Sequence, residues 1–172
     1  MRRYTLGFAV AVLVFALDQL AKWIVTGPLG LNQIGDQLYL LPVFQFTYTQ
    51  NPGISLGLLN ATNPLGRWML VALTSLIAIG VAIWIGREKS RLDQVALGMV
   101  LGGALGNILD RTLHSYVVDF LDLHFGEWRP FLVFNVGDAA ISIAVAILLL
   151  HAFVSRKDQL GGNGPKEIQE DA

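Results

Sequence analysis

The chain lacks cysteine and is poor in charge, and each lack excludes a class of function. Without cysteine, its 172 residues contain no disulfide, thiol nucleophile or thiolate metal site. Only three scattered histidines occur, so neither a zinc centre nor any other metal or cofactor is expected. Charged residues make up 15%, against about 25% in a soluble domain. The formal net charge of -1 provides no basic field, so no nucleic-acid partner is expected.

The sequence contains long apolar runs, and hydrophobic residues make up 53% of it. Four runs lie at about 4–26, 67–85, 92–110 and 131–154. As a helix the first would rise about 33 Å, enough to cross a hydrocarbon core of about 30 Å. Asp18 and Lys22 interrupt this run, and no small-x-small site follows, which argues against a cleaved signal peptide. We therefore predict an all-α membrane protein with four transmembrane helices, one domain over 1–155 and a monomeric state.

Basic residues are distributed unevenly between the two ends of the predicted bundle. One end holds Arg2, Arg3, Arg87, Lys89, Arg91, Arg156, Lys157 and Lys166, and the other holds Arg67, Arg111 and Arg129. The positive-inside rule therefore predicts that both termini lie in the cytoplasm. The glycine-rich tail over 156–172 is predicted to be disordered.

The first outer loop has strand periodicity. Aromatic residues alternate with polar ones in the order Phe44, Gln45, Phe46, Thr47, Tyr48 and Thr49. This pattern within 38–49 predicts a small β segment in the loop at about 36–56, lying on the outer membrane face. The sequence leaves the partner of this segment open, and 117–125 is one candidate.

Polar side chains interrupt three of the four runs near the outer end. They are Asp18 and Lys22 in the first helix, Asn107, Asp110 and Arg111 at the end of the third, and Asn135 and Asp138 in the first two turns of the fourth. Charged groups within a membrane span are costly and usually functional. Their similar depth predicts one shared polar pocket.

Several of these residues also have a structural interpretation. Asp18 and Lys22 are four positions apart and could neutralise each other on one helix face. Asp110 and Arg111 could anchor a helix end at the membrane interface, and the asparagines could bond between helices. Glycines recur every four residues at Gly98, Gly102 and Gly106, which predicts a helix-packing stripe.

Asp138 has no basic residue within two turns, so it needs a partner from elsewhere in the fold. Asp119, in an apolar run at the interface, is one candidate, and Asp122 and Asp110 are others. Two facing carboxylates share one proton: the ionised member can activate water, and the protonated member can polarise a carbonyl. Two alternatives to an enzyme remain: a small carrier or proton relay using the intramembrane aspartates, and a structural subunit of a membrane complex that docks through the glycine stripe.

Five motifs taken together resemble the bacterial lipoprotein signal peptidase (signal peptidase II) family. They are DQLAK at 18–22, QNPG at 50–53, GGALGNILDR at 102–111, VVDF at 117–120 and FNVGDA at 134–139. The resemblance implies an intramembrane aspartyl endopeptidase. Such an enzyme removes signal peptides from diacylglyceryl-modified prolipoproteins by cutting before the lipidated cysteine.

The resemblance also implies roles for individual residues. Asp119 and Asp138 would be catalytic. The supporting or substrate-binding residues would be Asp18, Lys22, Asn51, Gly53, Asn107, Asp110, Arg111 and Asn135. The expected partners are prolipoprotein signal peptides carrying a diacylglyceryl cysteine, membrane lipids and globomycin-type inhibitors. The expected location is the bacterial cytoplasmic (inner) membrane, with the site towards the periplasm.

Two departures from the family pattern concern substrate or inhibitor preference. The family often has alanine where Gly137 stands. It often has small residues followed by phenylalanine where Ile54, Ser55 and Leu56 stand. Glycine in a helix is less favourable than alanine by about 1 kcal/mol, so Gly137 is expected to loosen the start of the fourth helix.

Overall fold

The computed structural model describes residues 5–53 and 64–161, and it contains four helices and three strands within them. In chain order these elements are α1 (Thr5–Thr26), β1 (Gln37–Leu41), β2 (Phe44–Asn51), α2 (Pro64–Arg87), α3 (Arg91–His114), β3 (Val117–Leu123) and α4 (Val136–Gly161). All four helices are long and apolar enough to cross a membrane. The four predicted helices are therefore confirmed. The departures at 54–56, the basic residues at positions 2 and 3, and 162–172 of the predicted tail lie outside the described residues.

The ends of three helices differ from the hydropathy prediction. α2 begins and ends slightly outside 67–85. α3 continues to His114 rather than stopping near 110, and it ends where Ser115 adopts a left-handed conformation with φ 75°. The Ser90 side chain caps its start by accepting a hydrogen bond from the Asp93 backbone N–H at 3.3 Å.

The fourth helix begins at Val136, so the predicted start at 131 is wrong. The preceding backbone is occupied by sheet-like pairing, because the Phe134 N–H and C=O bond to Leu121 at 3.1 and 2.7 Å. Apolar side chains continue through 131–134, so hydropathy alone could not place the boundary. The helix then extends past 154 to Gly161.

α3 is the central helix and packs against the other three. The predicted glycine stripe lies against α1: a Cβ added to Gly98 or Gly102 would come within 3.0 Å of Val10 or Val14 Cβ. Since α1 already covers the stripe, these glycines allow close packing within the bundle.

A three-stranded antiparallel sheet, in the order β1-β2-β3, lies where α1 and α3 end and α2 and α4 begin. The partner that the sequence left open is β3, within the candidate segment 117–125, and β2 pairs with it so that Gln45 lies opposite Asp122 and Thr49 opposite Asp119. The β segment predicted at about 36–56 is a hairpin, because the chain turns at Pro42 between β1 and β2. Proline cannot donate a ladder hydrogen bond, which favours a turn at that position.

Candidate active site

Asn135 joins the two aspartates that the sequence singled out. Asp119 lies on β3 and Asp138 in the first turn of α4. Asn135 Nδ2 donates to Asp119 Oδ1 at 2.7 Å. On the other side, Asn135 Oδ1 accepts from the Asp138 backbone N–H at 2.8 Å, and the Asn135 N–H donates to Asp138 Oδ2 at 3.3 Å. The latter two bonds form a capping box, which fixes Asp138 at the start of the helix.

Asn51 holds the other oxygen of Asp119. Its Nδ2 donates to Asp119 Oδ2 at 3.0 Å. The Gly53 backbone N–H donates to Asn51 Oδ1 at 3.1 Å, which leaves the Asn51 NH2 group directed at the carboxylate. Gly53 has φ 149°, a conformation that side-chain-bearing residues rarely adopt. The end of β2 thus supplies Asn51 in a fixed orientation.

Asn107, on α3, completes the arrangement. Its Nδ2 donates to Asp138 Oδ1 at 2.8 Å, and its Oδ1 accepts from Asn135 Nδ2 at 3.2 Å. All four oxygens of Asp119 and Asp138 therefore accept hydrogen bonds from amide groups. Amides do not titrate at physiological pH, so they orient the two acids without taking their proton.

Burial and the neighbouring charge of Asp138 raise the pKa of Asp119 to about 6, although the hydrogen bonds from Asn51 and Asn135 lower it. Asp119 is 1% exposed. A carboxyl that exchanges a proton near neutral pH is suited to acid–base catalysis.

Arg111 supplies positive charge beside the pair. It lies near enough to Asp138, Asp119 and Asp110 for electrostatic attraction. Its Nε is buried and has no hydrogen-bond partner among the residues described. Arg111 lies in the last turn of α3, which continues to His114, and Asp110 before it is 2% exposed.

A buried ion network lies beneath the aspartate pair. Lys22 Nζ contacts Asp18 Oδ2 at 2.6 Å and Asp110 Oδ2 at 2.9 Å. Asp18 Oδ1 also accepts from the Gly137 N–H at 2.8 Å, and Asp110 Oδ2 from the Val118 N–H at 3.1 Å. The network therefore ties α1 and α3 to the starts of α4 and β3, the two elements that carry the aspartate pair.

Gln19 also belongs to this network, although its sequence position alone predicts no role for it. Its Nε2 donates to Asp18 Oδ2 and Asp110 Oδ1, both at 3.2 Å. Gln19 stands next to Asp18 in the 18–22 motif, and this is the one feature of the sequence that could have identified it as a member of the network.

Asp122 lies in a separate cluster and is not part of the pair. Its Oδ2 accepts from Gln45 Nε2 at 2.9 Å and from Thr47 Oγ1 at 2.8 Å. Arg129 Nε lies 3.3 Å from its Oδ1. Gln45 and Thr47 are buried. The sequence marked them only as the polar positions of a strand, so their contact with Asp122 was not predicted.

Gly103 and Gly137 bring α3 and α4 together beside the site. A Cβ added to Gly137 would lie 3.0 Å from the Gly103 carbonyl oxygen and 3.1 Å from Asn135 Oδ1. Gly137, which was expected to loosen the start of α4, is therefore also a point of close contact between α3 and α4. Among the described residues, no group of three or more His, Asp or Glu side chains is arranged to hold a metal ion.

Comparison with known proteins gives consistent matches over most of the chain. A family model described as signal peptidase (SPase) II matches residues 10–154. The lipoprotein signal peptidase of Rhizorhabdus wittichii is 52% identical over 155 residues, 90% of each chain. That of Caulobacter vibrioides is 38% identical and covers 92% of this chain and 93% of its own.

The fold also matches solved structures. A bacterial membrane enzyme determined by the in meso method at 2.3 Å superposes with a TM-score of 0.74 and 27% identity, over 95% of this chain and 94% of the other. A second, at 1.9 Å, gives a TM-score of 0.72 and 28% identity over 85% and 91%. The chain is a multi-pass membrane protein, and it belongs to the signal peptidase II family of lipoprotein signal peptidases.

Proposed function

We propose that the chain is an intramembrane aspartyl endopeptidase acting on diacylglyceryl-modified prolipoproteins. The observation that carries the proposal is the shared contact of Asn135 with Asp119 and Asp138. One residue thereby fixes two acids from different elements, which is the arrangement that a water-activating pair needs. Family membership supplies the substrate class.

The proposed reaction uses one proton held by the pair. The ionised acid removes a proton from water, which attacks the carbonyl carbon of the residue before the lipidated cysteine. The protonated acid donates a hydrogen bond to the carbonyl oxygen. The resulting tetrahedral intermediate then collapses, the C–N bond breaks, and the cysteine nitrogen receives a proton from the pair. Arg111 stabilises the oxyanion, since its buried Nε has no partner among the described residues.

The proposal places the site at the periplasmic side of the inner membrane, where the lipidated cysteine would meet the sheet end of the bundle. The signal helix enters sideways from the lipid, and the outer β segment and the loop around 127–130 hold it from above. Asn51, Asn107 and Asn135 orient the acids, and the network of Asp18, Lys22 and Asp110 supports them. Globomycin-type inhibitors are expected to compete for the same site.

The test is replacement of each acid by asparagine. Asp119→Asn and Asp138→Asn each remove a titratable oxygen while preserving the shape of the side chain. The kcat for cleavage of a lipidated prolipoprotein peptide by the purified protein should therefore fall by at least about a thousandfold, an effect typical of a lost catalytic group. Asp36→Asn is the control, because the Asp36 carboxylate accepts only from the Asn32 and Gln33 backbone N–H groups of its own loop, among the contacts described. Near-normal cleavage by either pair variant would refute the assignment.

A carrier or proton relay is less well supported. Such a path would need acids free to exchange protons, but Asp18 and Asp110 share the ammonium of Lys22 and are buried. Proton or solute flux through proteoliposomes of the purified chain, without peptidase activity, would favour this alternative.

A further inference from the structure

The loop between α2 and α3 presents three cations at the end of the bundle opposite the aspartate pair. Arg87 ends α2, Arg91 begins α3, and Lys89 lies between them. All three side chains are exposed, and none forms a hydrogen bond or an ion pair with any residue that the structure describes. Since Glu88 is the single acid among them, positions 87–91 carry a net charge of +2.

The acids of this loop are bonded to the protein's own donors. Glu88 Oε1 accepts from two loop backbone N–H groups at 2.7 and 2.9 Å, and its Oε2 accepts from Trp84 Nε1 at 3.0 Å. The next acid along the chain, Asp93, has its Oδ1 2.8 Å from His151 Nδ1. Both carboxylates therefore point away from the three cations, whose charge is left facing outward.

Cations at the sheet end are bonded differently. Lys22 and Arg129 each contact an acid, and Arg111 is attracted by three. Arg67 donates to Ser115 Oγ. Within the ranges 5–53 and 64–155, cations without a partner are thus a property of the α2–α3 loop and not of the surface in general.

The loop is too short to leave the membrane surface. α2 and α3 have 24 residues each and are apolar enough to span a membrane. At 1.5 Å per residue each rises about 36 Å, which exceeds a hydrocarbon core of about 30 Å and reaches the headgroup layers on either side. Trp84, 51% exposed and one turn before Glu88, is of a type enriched at that depth. The three cations therefore lie at the level of the lipid phosphates.

We propose that this loop binds the headgroup of an anionic phospholipid. Its phosphodiester carries a full negative charge on oxygens that guanidinium and ammonium groups bind well. A bilayer already holds such phosphates at the depth of the loop, which favours a lipid over a soluble anion. A zwitterionic headgroup carries its own cation, so it should compete poorly. A bound lipid would also hold the point at which the central helix α3 begins, and should stabilise the fold by linkage.

The test measures lipid binding to the purified full-length protein in detergent micelles by native mass spectrometry, with phosphatidylglycerol or phosphatidylcholine added. Each cation near an anionic lipid contributes about fivefold in affinity, so three should favour phosphatidylglycerol on the order of a hundredfold. Combining Arg87→Gln, Lys89→Gln and Arg91→Gln should abolish this preference. Added salt should weaken it, and soluble glycerol phosphate should not displace the lipid. Phosphatidylglycerol alone should raise the thermal midpoint of the parent protein.

The matched control makes the same change in net charge at the sheet end. Asn32→Asp, Gln33→Glu and Gln37→Glu alter three exposed side chains there, and this variant should keep the preference of the parent protein. Equal binding of the two lipids by the parent protein, or an undiminished preference in the triple glutamine variant, would overturn the inference. If that variant does not fold, Lys89→Gln alone should lose about fivefold. None of these measurements depends on peptidase activity, so the inference stands or fails apart from the proposed function.

Discussion

The environment of Asp119 predicts how cleavage should depend on pH. Burial and the charge of Asp138 raise the pKa of Asp119 to about 6, so Asp119 holds its proton below that pH and loses it above. If the singly protonated pair is the active form, kcat/KM should fall as pH rises through about 6, by about tenfold per pH unit. A pH profile of kcat/KM with a lipidated peptide measures this.

Asn51→Ala provides the control for that profile. The Asn51 amide donates to Asp119 Oδ2 and favours the ionised carboxylate, so its loss should raise the pKa of Asp119. The falling limb of kcat/KM should then move to higher pH, although the rate is lower. A shift to lower pH would contradict the assignment of this limb to Asp119.

Asp122 should contribute to stability and not to the chemical step. Asp122→Asn keeps an oxygen that can accept from Gln45 and Thr47, but it loses the attraction to Arg129. We expect the unfolding free energy to fall by about 1–3 kcal/mol, as is typical when a buried polar group is disturbed. A lower thermal midpoint in detergent measures this loss, and the pH profile of cleavage should stay unchanged.

A folded Asp122→Asn protein that cleaves nothing would restore Asp122 as a catalytic candidate. Arg129→Gln is the matched comparison, because it removes the same ion pair from its half-exposed side. Because Asp122 is buried, loss of Arg129 leaves its carboxylate without a cation, so Arg129→Gln should destabilise the protein at least as much as Asp122→Asn, which removes the charge itself.

Residue types and motifs could predict the members of the site, but not how they contact one another. Asp119 and Asp122 look alike in sequence because both interrupt the same apolar run. The strand separates them: side chains three positions apart point to opposite faces. That distinction depends on pairing with β2, a partner some seventy residues away in the chain. The bonds from Gln19 to Asp110 and from Gly137 to Asp18 are also long-range, since they join residues 91 and 119 positions apart.

At the scale of elements, the start of α4 was predictable in part. Asn135 and Asp138 stand three positions apart, the spacing of a capping box, and this pattern is visible in the sequence. Hydropathy placed the start five residues earlier because 131–134 is apolar. The second cap on this helix comes from Asp18 in α1, and no local pattern reveals it.

The contact of α3 with α4 should be sensitive to one methyl group. A Cβ added to Gly103 would lie 3.0 Å from the Gly137 carbonyl carbon, and closer still to its oxygen. Gly103→Ala should therefore force the helices apart and move Asp138 relative to Asn107. We expect about 1–3 kcal/mol of destabilisation, typical of overpacking, together with a loss in kcat. Thermal unfolding in detergent and peptide cleavage measure the two effects.

Gly80→Ala is the matched control for this substitution. Gly80 lies within α2, and a Cβ there would meet nothing within 4 Å. Because alanine has the higher helix propensity, this variant should be stabilised by up to about 1 kcal/mol, with activity unchanged. Equal stability of the Gly103→Ala and Gly80→Ala proteins would show that the close approach at Gly103 can relax without penalty.

At the scale of the whole molecule, the two ends of the bundle differ in chemistry. The sheet end carries the aspartate pair and the buried ion network. The opposite end carries a link from Asp93 to His151, with 2.8 Å between Oδ1 and Nδ1, and the basic loop between α2 and α3. Length and hydropathy predicted four spans correctly, because each helix must satisfy its own backbone in lipid. The strand order could not be predicted from the sequence, because it depends on contacts between segments far apart in the chain.

Sidedness is the remaining prediction, and the absence of native cysteine makes it simple to test. Gln33→Cys places a thiol in the exposed loop at the sheet end, and Lys89→Cys places one in the exposed loop between α2 and α3. Because basic residues concentrate at the second end, that end should face the cytoplasm. In cells whose outer membrane has been permeabilised, a membrane-impermeant maleimide should label position 33, and should label position 89 only after lysis. The parent protein, which should stay unlabelled, is the control. Labelling of position 89 alone in intact inner membranes would show the opposite topology. The aspartate pair would then lie at the cytoplasmic face, away from the side on which the proposed substrate carries its lipid.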